Sequence, residues 1–236
     1  MRKNDENPVL FWDFHGTLTK PDVVWFDVAM EAAAELAPHR PLTAETLNAN
    51  LSRNCLPWFT IPDRDARHLT APGAWWAHSE AEFEKMFQRC GFTHAEAETL
   101  APALREKVLQ PARYQLFGDA VLTLKTLKAR GYKSYILSNN FPELPEIVTA
   151  LGLDSLFEQV LVSARIGYDK PRPEIFAHAR VAAGQPQNPW MIGDNPVDDI
   201  AGGAAAGFTT VAVHGASAPE ADHAIDELSE LLALLT

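Results

Sequence analysis

The second half of this chain alternates between apolar runs short enough for β-strands and longer segments with helical periodicity. After Pro111 the predicted strands lie at residues 132–137, 160–163, 190–192 and 209–213. Strands that alternate with helices of this length pair in parallel through right-handed crossovers, because each connection must return over one face of the sheet. The sequence therefore predicts an α/β fold, a doubly wound parallel sheet with helices on both faces.

The first half of the chain contributes one strand and an insertion. Residues 9–14 form an apolar run that ends in an acid and is followed by Gly16, which predicts a buried strand stopped by a turn. No comparable strand follows until the alternation begins, and the intervening segment has helical character. We therefore expect an α/β core made of residues 1–19 and 111–236, with residues 20–110 inserted as a helical cap domain.

Two capping patterns locate helices in the inserted segment. Residues 79–82, Ser-Glu-Ala-Glu, predict the start of a helix that continues to Cys90. Thr93 and Glu96 repeat the pattern and predict the start of the next helix. Pro102 lies inside that second helix, and we expect it to kink or break it.

Composition and charge exclude several classes of protein. Apolar residues make up 47% and charged residues 22% of the chain, which excludes a disordered or collagen-like protein. Twenty Lys and Arg against 31 Asp and Glu give a net charge of −11, the wrong sign for a partner such as nucleic acid or an anionic membrane. Two cysteines, no signal-peptide pattern and no apolar run of about 20 residues lead us to expect a cytoplasmic protein.

Polar and charged side chains follow four of the predicted strands, where an open parallel sheet binds its ligands. Carboxylates there suit a hard cation such as Mg²⁺, and a hydroxyl with an ammonium group suits a phosphoryl group. Each segment alone is also an ordinary turn or helix start, and only their order along four strands favours a site. The residues are Asp13 and His15 after the first strand, Ser138 and Asn139 after the second, Lys170 after the third and Asp194 after the fourth.

These segments resemble the four motifs of the haloacid dehalogenase superfamily, in the branch with a helical cap inserted after the first motif. Residues 11–18, Phe-Trp-Asp-Phe-His-Gly-Thr-Leu, resemble the first motif, and residues 136–139, Ile-Leu-Ser-Asn, the second. Residues 170–176, Lys-Pro-Arg-Pro-Glu-Ile-Phe, resemble the third. Residues 191–194, Met-Ile-Gly-Asp, followed by residues 198–202, Asp-Asp-Ile-Ala-Gly, resemble the fourth.

The resemblance implies hydrolysis of small phosphorylated metabolites through a covalent aspartyl-phosphate. Asp13 would be the nucleophile that attacks phosphorus. Ser138 and Lys170 would hold the phosphoryl oxygens and stabilise their charge. Thr17 and Asn139 are further candidates for binding the substrate.

The resemblance also implies a Mg²⁺ site. Its ligands would be the carboxylate of Asp13, the backbone carbonyl of His15 and the carboxylate of Asp194. Either Asp199 or its neighbour Asp198 would order the waters around the metal.

The chain departs from the family pattern at His15, where the phosphatases carry a second aspartate that protonates the leaving group and then activates water. Imidazole titrates near neutrality, but a nearby metal ion disfavours the imidazolium. A neutral His15 would serve as a base for water and be a poor acid for an alkoxide, so we expect a preference for good leaving groups such as acyl or aryl phosphates. The alternative is a weakened or inactive member that binds a phosphorylated ligand.

Three further questions stay open at this stage. A metal-independent 2-haloacid dehalogenase also lacks the second aspartate, although the acids at Asp194, Asp198 and Asp199 argue against it. Trp58 and Trp76 in the inserted segment are candidates for facing the substrate, but aromatic residues in a small helical domain mostly form its core. The sequence does not choose between a monomer and a homodimer.

Overall fold

The sheet predicted from the alternating pattern is present in the computed structural model, which describes residues 7–20, 24–51, 55–61 and 63–235. Within these residues six strands form one sheet in the order β3-β2-β1-β4-β5-β6, and every neighbouring pair is parallel. The predicted α/β class with a parallel sheet is thus confirmed. The strands are β1 (Val9–Trp12), β2 (Lys133–Ser138), β3 (Gln159–Val162), β4 (Pro189–Gly193), β5 (Thr209–Val213) and β6 (His223–Ile225).

Strand β1 lies in the middle of the sheet and fixes the position of the residues that follow it. Trp12 is in register with Ile136 of β2 on one side and with Ile192 of β4 on the other. The carboxyl ends of these three strands therefore finish at the same level, and the residues after them share one edge of the sheet. The order of the strands runs outward from β1 to β2 and β3 on one side, and from β4 to β5 and β6 on the other. Doubly wound sheets bind their ligands at the point where the strand order changes direction in this way.

The helices that flank the sheet complete the α/β unit. Leu137, Leu161, Ile175 and Met191 pack with Phe11 in a buried cluster, which shows how the apolar strands and the helix after β3 form one core. The segment between β4 and β5 begins as a π-helical turn at Pro196–Ala201 and continues as α-helix at Gly202–Ala205. After β6 a short 3₁₀ turn is followed by a single α-helical turn.

The chain divides into two compact units, one from Met1–Pro21 and Tyr114–Thr236 and the other from Asp22–Arg113. The boundaries expected from the sequence, at residues 20 and 110, differ from these by two and three residues. The helices of the second unit are α1 (Val24–Leu36), α2 (Ala44–Leu51), α3 (Pro57–Thr60), α4 (Ala74–Arg89) and α5 (His94–Val108). Those of the first are α6 (Ala120–Ala129), α7 (Leu144–Ala150), α8 (Ser163–Ile166), α9 (Pro173–Ala182), α10 (Gly202–Ala205) and α11 (Leu231–Leu234).

In the inserted segment, one predicted helix start was wrong, one is confirmed, and the helix with an internal proline is not broken. Helix α4 begins at Ala74, five residues before the predicted start, and Ser79 is fully buried on its inner face rather than capping it. Thr93 and Glu96 do form the predicted capping box of α5. Pro102 does not break that helix, which continues to Val108 because its buried face packs against α1 and α4.

Cys55 and Cys90 are both free thiols. Among the described residues, no helix combines the length and the apolar character needed to span a bilayer.

Candidate active site

The site begins where β1 ends, at Asp13. The backbone N–H of Asp13 donates to the carbonyl of Ile192 at 2.9 Å, which extends the pairing of β1 with β4 by one residue and fixes the start of the loop. The chain then turns at Gly16, where φ is +73°. A methyl group on Gly16 would lie 2.3 Å from Oδ2 of Asp194, so only glycine allows this loop to approach that carboxylate.

Three carboxylates meet at this edge of the sheet. Asp13, Asp194 and Asp199 each place an oxygen within 4.8 Å of the others. Asp13 and Asp199 are buried, with 8% and 1% of their surface exposed, and Asp194 is half-buried. Gly193 gives Asp199 room, because a methyl group on Gly193 would lie 2.2 Å from Oδ2 of Asp199. All three groups offer oxygen ligands, which Mg²⁺ prefers.

The turn after β4 decides which of the two neighbouring aspartates joins this group. Oδ1 of Asn195 accepts from the backbone N–H groups of Val197 and Asp198, both at 2.9 Å, and so caps the π-helical turn. The backbone N–H of Asn195 in turn donates to Oδ2 of Asp199 at 3.0 Å. Asp199 therefore points to Asp13 and Asp194, whereas Asp198 accepts a hydrogen bond from the side chain of Asn139 at 3.3 Å.

Lys170 supplies the positive charge at the centre of the group. Its Nζ lies 2.8 Å from Oδ1 of Asp13 and 2.5 Å from Oδ1 of Asp199, and the residue is 2% exposed. Asn139 holds the backbone of Lys170 through both ends of its amide, accepting from the Lys170 N–H at 2.7 Å and donating to the Lys170 carbonyl at 3.0 Å. Burial lowers the pKa of Lys170, but the charges of Asp13 and Asp199 outweigh it, so the net pKa is raised and the side chain is a cation.

One ammonium group does not neutralise three carboxylates. Burial and the charge of Asp13 raise the pKa of Asp194 to about 6, although Lys170 and the hydroxyl of Thr17 act in the opposite direction. Burial also raises the pKa of Asp199, and the charge of Lys170 offsets this in part. The group therefore carries unfavourable negative charge that a divalent cation would relieve. In donor type and in charge the residues fit a Mg²⁺ ion.

The remaining residues predicted for the core unit lie around these charges. Thr17 is fully buried, and its hydroxyl donates to Oδ1 of Asp194 at 3.3 Å. Ser138 is the last residue of β2 and is 1% exposed. His15 is half-buried, with its ring centroid 5.1 Å from that of Phe14 and 5.6 Å from that of Tyr114. Thr17 thus orients a carboxylate in addition to its predicted part in substrate binding.

The two tryptophans predicted to face the substrate lie in the helical unit. Trp76 is 2% exposed, with its ring 4.8 Å from that of Trp75 and the Arg105 guanidinium 5.0 Å above it, which is the core packing that the alternative interpretation expects. Trp58 is half-buried and lies 6.3 Å from Trp75. Substrate contact by either tryptophan stays a prediction.

Sequence reasoning missed three residues that shape the site. Asn195 orients Asp199, and its position before Pro196 is the signal for a helix N-cap with proline in the first turn. Asn140 is buried, with Nδ2 3.5 Å from the hydroxyl of Ser138. His214 has Nε2 3.0 Å from the carbonyl oxygen of Thr17, and the sequence carries no signal for this contact between distant loops.

Known proteins similar to this chain are hydrolases. Phosphoserine phosphatase from Thermus thermophilus is 34% identical over 164 residues, which are 68% of this chain and 64% of that protein. Haloacid dehalogenase-like hydrolase domain-containing protein 3 from Mus musculus is 34% identical over 160 residues, 63% of each chain. These alignments span a little less than two thirds of the relatives' own length.

Structural comparison and family assignment agree. The magnesium-bound crystal structure of a HAD hydrolase from Bacillus subtilis superimposes with a TM-score of 0.75 at 21% identity, covering 98% of this chain and 99% of that one, which shows a shared fold. The family described as haloacid dehalogenase-like hydrolase matches residues 8–207. That range contains Asp13, Ser138, Lys170 and Asp194. The chain therefore belongs to the haloacid dehalogenase-like hydrolases.

Proposed function

We propose that this hydrolase is a Mg²⁺-dependent phosphatase of small phosphorylated metabolites that works through a phosphorylated Asp13. The observation that carries the proposal is the group of Asp13, Asp194 and Asp199 around the ammonium group of Lys170. Three carboxylates at the end of the central strands suit a divalent cation, and a buried cation beside Asp13 suits the negative charge of a phosphoryl group. The phosphatase named among the relatives supports the same chemistry.

The residues that would hold Mg²⁺ are Asp13, Asp194 and the backbone carbonyl of His15. Asp199 would accept from the metal-bound waters, because it is the aspartate whose oxygen lies within 4.8 Å of the other two. Gly16 and Gly193 support this arrangement by leaving space for the carboxylates of Asp194 and Asp199. When bound, the metal would neutralise charge on the phosphoryl oxygens during transfer.

Asp13 would act as the nucleophile. One of its carboxylate oxygens forms a bond to phosphorus while the bond from phosphorus to the leaving oxygen breaks, and that oxygen keeps the electron pair. Water then attacks the phosphorylated Asp13, which releases phosphate and restores the carboxylate. Lys170 holds Oδ1 of Asp13 at 2.8 Å, so the second oxygen is the one oriented for attack. Ser138 would donate its hydroxyl to a phosphoryl oxygen.

His15 is the residue that would limit the choice of leaving group. Its half-buried ring contacts the rings of Phe14 and Tyr114, with centroid distances of 5.1 and 5.6 Å. Beside a divalent cation the ring is expected to be neutral, able to take a proton from water and poorly able to give one to an alkoxide. We therefore propose faster turnover of aryl and acyl phosphates than of alkyl phosphates.

The test is phosphate release from an aryl phosphate and from phosphoserine, each with Mg²⁺ or with EDTA. The unmodified chain should hydrolyse the aryl phosphate and be slow on phosphoserine, whose leaving group is an alkoxide. His15→Asp should narrow the difference between the two substrates, and Asp13→Asn should abolish both activities. Equal rates on both substrates would contradict the role given to His15, and activity that survives EDTA would contradict the metal.

The position of His15 also favours a second candidate, a weakened member of the family that binds a phosphorylated ligand without turning it over. In that case only His15→Asp would release phosphate, and the unmodified chain would bind substrate with no phosphorylated Asp13. A metal-independent 2-haloacid dehalogenase would release halide in EDTA, and the acids at Asp194 and Asp199, which suit a metal ion, argue against it. Trp58→Ala tests the proposed substrate contact in the helical unit, where we expect a higher KM at an unchanged kcat.

A further inference from the structure

His214 lies directly after β5, at the same edge of the sheet as the site, and contacts two backbone carbonyl groups at once. Its Nε2 lies 3.0 Å from the carbonyl oxygen of Thr17, in the loop after β1. Its Nδ1 lies 3.0 Å from the carbonyl oxygen of Asp226, just after β6. One side chain therefore joins loops that follow the central strand and the edge strand of the sheet.

The two ring nitrogens face groups of the same kind. A carbonyl oxygen only accepts hydrogen bonds, so a ring nitrogen that carries a proton can donate to the oxygen it faces. The ring also lies flat on Phe117, with the centroids 3.6 Å apart and the planes 12° apart, which fixes its orientation between the two loops.

The backbone holds His214 in a conformation that side chains rarely adopt. Its φ is +55°, and Gly215 follows at +71°, so two consecutive residues are left-handed. Histidine is one of the residues seen more often in this region, but the conformation persists only where its surroundings compensate for it. Here the compensation is the pair of contacts from the ring nitrogens and the stack on Phe117.

The loop that His214 contacts is the one that orients the site. The N–H groups of Leu18 and Thr19 both donate to the carbonyl of Phe14, at 2.9 and 3.0 Å, which closes the turn around Thr17. The hydroxyl of Thr17 then donates to Oδ1 of Asp194 at 3.3 Å. A continuous path of hydrogen bonds runs from the ring of His214, through Thr17, to one of the three carboxylates.

We propose that His214 is a positioning residue that holds Thr17 through its backbone carbonyl and thereby fixes the Asp194 carboxylate. The effect on the loop depends only on the described contacts, whereas the effect on Mg²⁺ rests on the proposed function. Loss of groups that orient metal ligands typically weakens metal binding by about 10–100-fold. His214 acts one contact further out, so we expect the low end of that range, about tenfold.

The experiment compares His214→Phe with His223→Phe. Each substitution keeps an aromatic ring for stacking, since His223 stacks on Trp190 with the centroids 5.3 Å apart, but only His214 contacts Thr17. In EDTA, hydrogen exchange of the Leu18 and Thr19 amides should be about tenfold faster in His214→Phe and unchanged in His223→Phe. Mg²⁺ affinity measured by calorimetry should fall about tenfold in His214→Phe alone.

The ring itself gives a readout that needs neither a variant nor a metal. In a ¹H–¹⁵N spectrum of the imidazole, Nε2 of His214 should carry a proton in the unmodified chain, because it faces the carbonyl oxygen of Thr17. An unprotonated Nε2 would overturn the proposal, and so would unchanged amide exchange in His214→Phe. If that variant does not fold, His214→Asn, which tolerates the left-handed backbone, takes its place. Absence of Mg²⁺ binding by the unmodified chain would refute the proposed function and leave the exchange and the ring spectrum to decide the role of His214.

Discussion

Replacement of Asp194 by asparagine is expected to stabilise the metal-free protein while removing a metal ligand. The pKa of Asp194 is raised from 3.8 to about 6, first by burial and then by the charge of Asp13. Each pKa unit corresponds to about 1.4 kcal/mol, so the ionised carboxylate lowers the unfolding free energy by up to about 3 kcal/mol. Asparagine removes the charge and keeps an oxygen that accepts from the Thr17 hydroxyl.

The stability gained by the substitution depends on pH, because the unfolded chain releases the Asp194 proton at a lower pH than the folded chain does. Below pH 4 the Asp194 carboxyl is protonated in both the folded and the unfolded chain, and the substitution gains nothing. Between pH 4 and pH 6 the unfolded chain ionises first, so the folded state loses stability as the pH rises. Above pH 6 the full effect is present, and Asp194→Asn should raise the melting temperature in EDTA by about 5–10 °C.

The assay is unfolding by heat and by urea in EDTA, from pH 4 to pH 8, with Asp222→Asn as the control. Asp222 is exposed, and its pKa is lowered mainly by the hydrogen bond from the backbone N–H of Thr210 at 2.8 Å. Removing its charge should therefore decrease stability, opposite in sign to Asp194→Asn. A decrease for Asp194→Asn at pH 8, or a gain as large at pH 4 as at pH 8, would refute the electrostatic argument.

Three further outcomes follow from the same group of residues. Protons compete with Mg²⁺ at Asp194, so the Mg²⁺ affinity measured by calorimetry should fall about tenfold for each pH unit below 6. An affinity that does not change between pH 4 and pH 8 would exclude Asp194 as a ligand. Gly193→Ala places a methyl group 2.2 Å from Asp199 and should lower the unfolding free energy by about 1–3 kcal/mol and weaken Mg²⁺ binding. Unchanged binding and stability would show that the Asp199 side chain can move to another position without cost. Lys170→Met removes the ammonium group that contacts Asp13 and Asp199, and should lower the free energy of unfolding in urea at pH 8 by about 3–5 kcal/mol and abolish phosphate release. A variant as stable as the unmodified chain would argue against ionised Lys170, Asp13 and Asp199.

The parts of the site that lie directly at strand ends could be predicted from the sequence. Apolar runs locate the strands, and parallel pairing brings Asp13, Ser138 and Asp194 to one edge whatever the details of the loops. Spacing did not decide between Asp198 and Asp199, because the turn after β4 is π-helical and Asn195 sets which carboxylate points inward. That choice depends on hydrogen-bond geometry over five residues rather than on residue type.

Longer-range contacts explain the remaining differences. The pattern at residues 79–82 satisfies the sequence rule for a helix start, yet α4 begins at Ala74 because Trp75 and Trp76 are buried by extending the helix. Pro102 removes a single hydrogen-bond donor, and the packing of α5 outweighs that loss. Strand β6 has three residues, too few for an alternating pattern to be recognised, and it forms because β5 offers it an edge.

The central place of β1 in the sheet has a consequence for how the chain is made. Leu10, Phe11 and Trp12 are completely buried in the folded protein, yet both neighbours of β1 are synthesised later, β2 beginning 121 residues after Trp12 and β4 beginning 177 residues after it. At about 5–20 residues per second, a ribosome leaves β1 without β2 for about 6 to 24 s. All residues of the helical unit are synthesised in that interval, so the strand that carries the proposed nucleophile is an exposed apolar segment for longer than any other strand of the sheet.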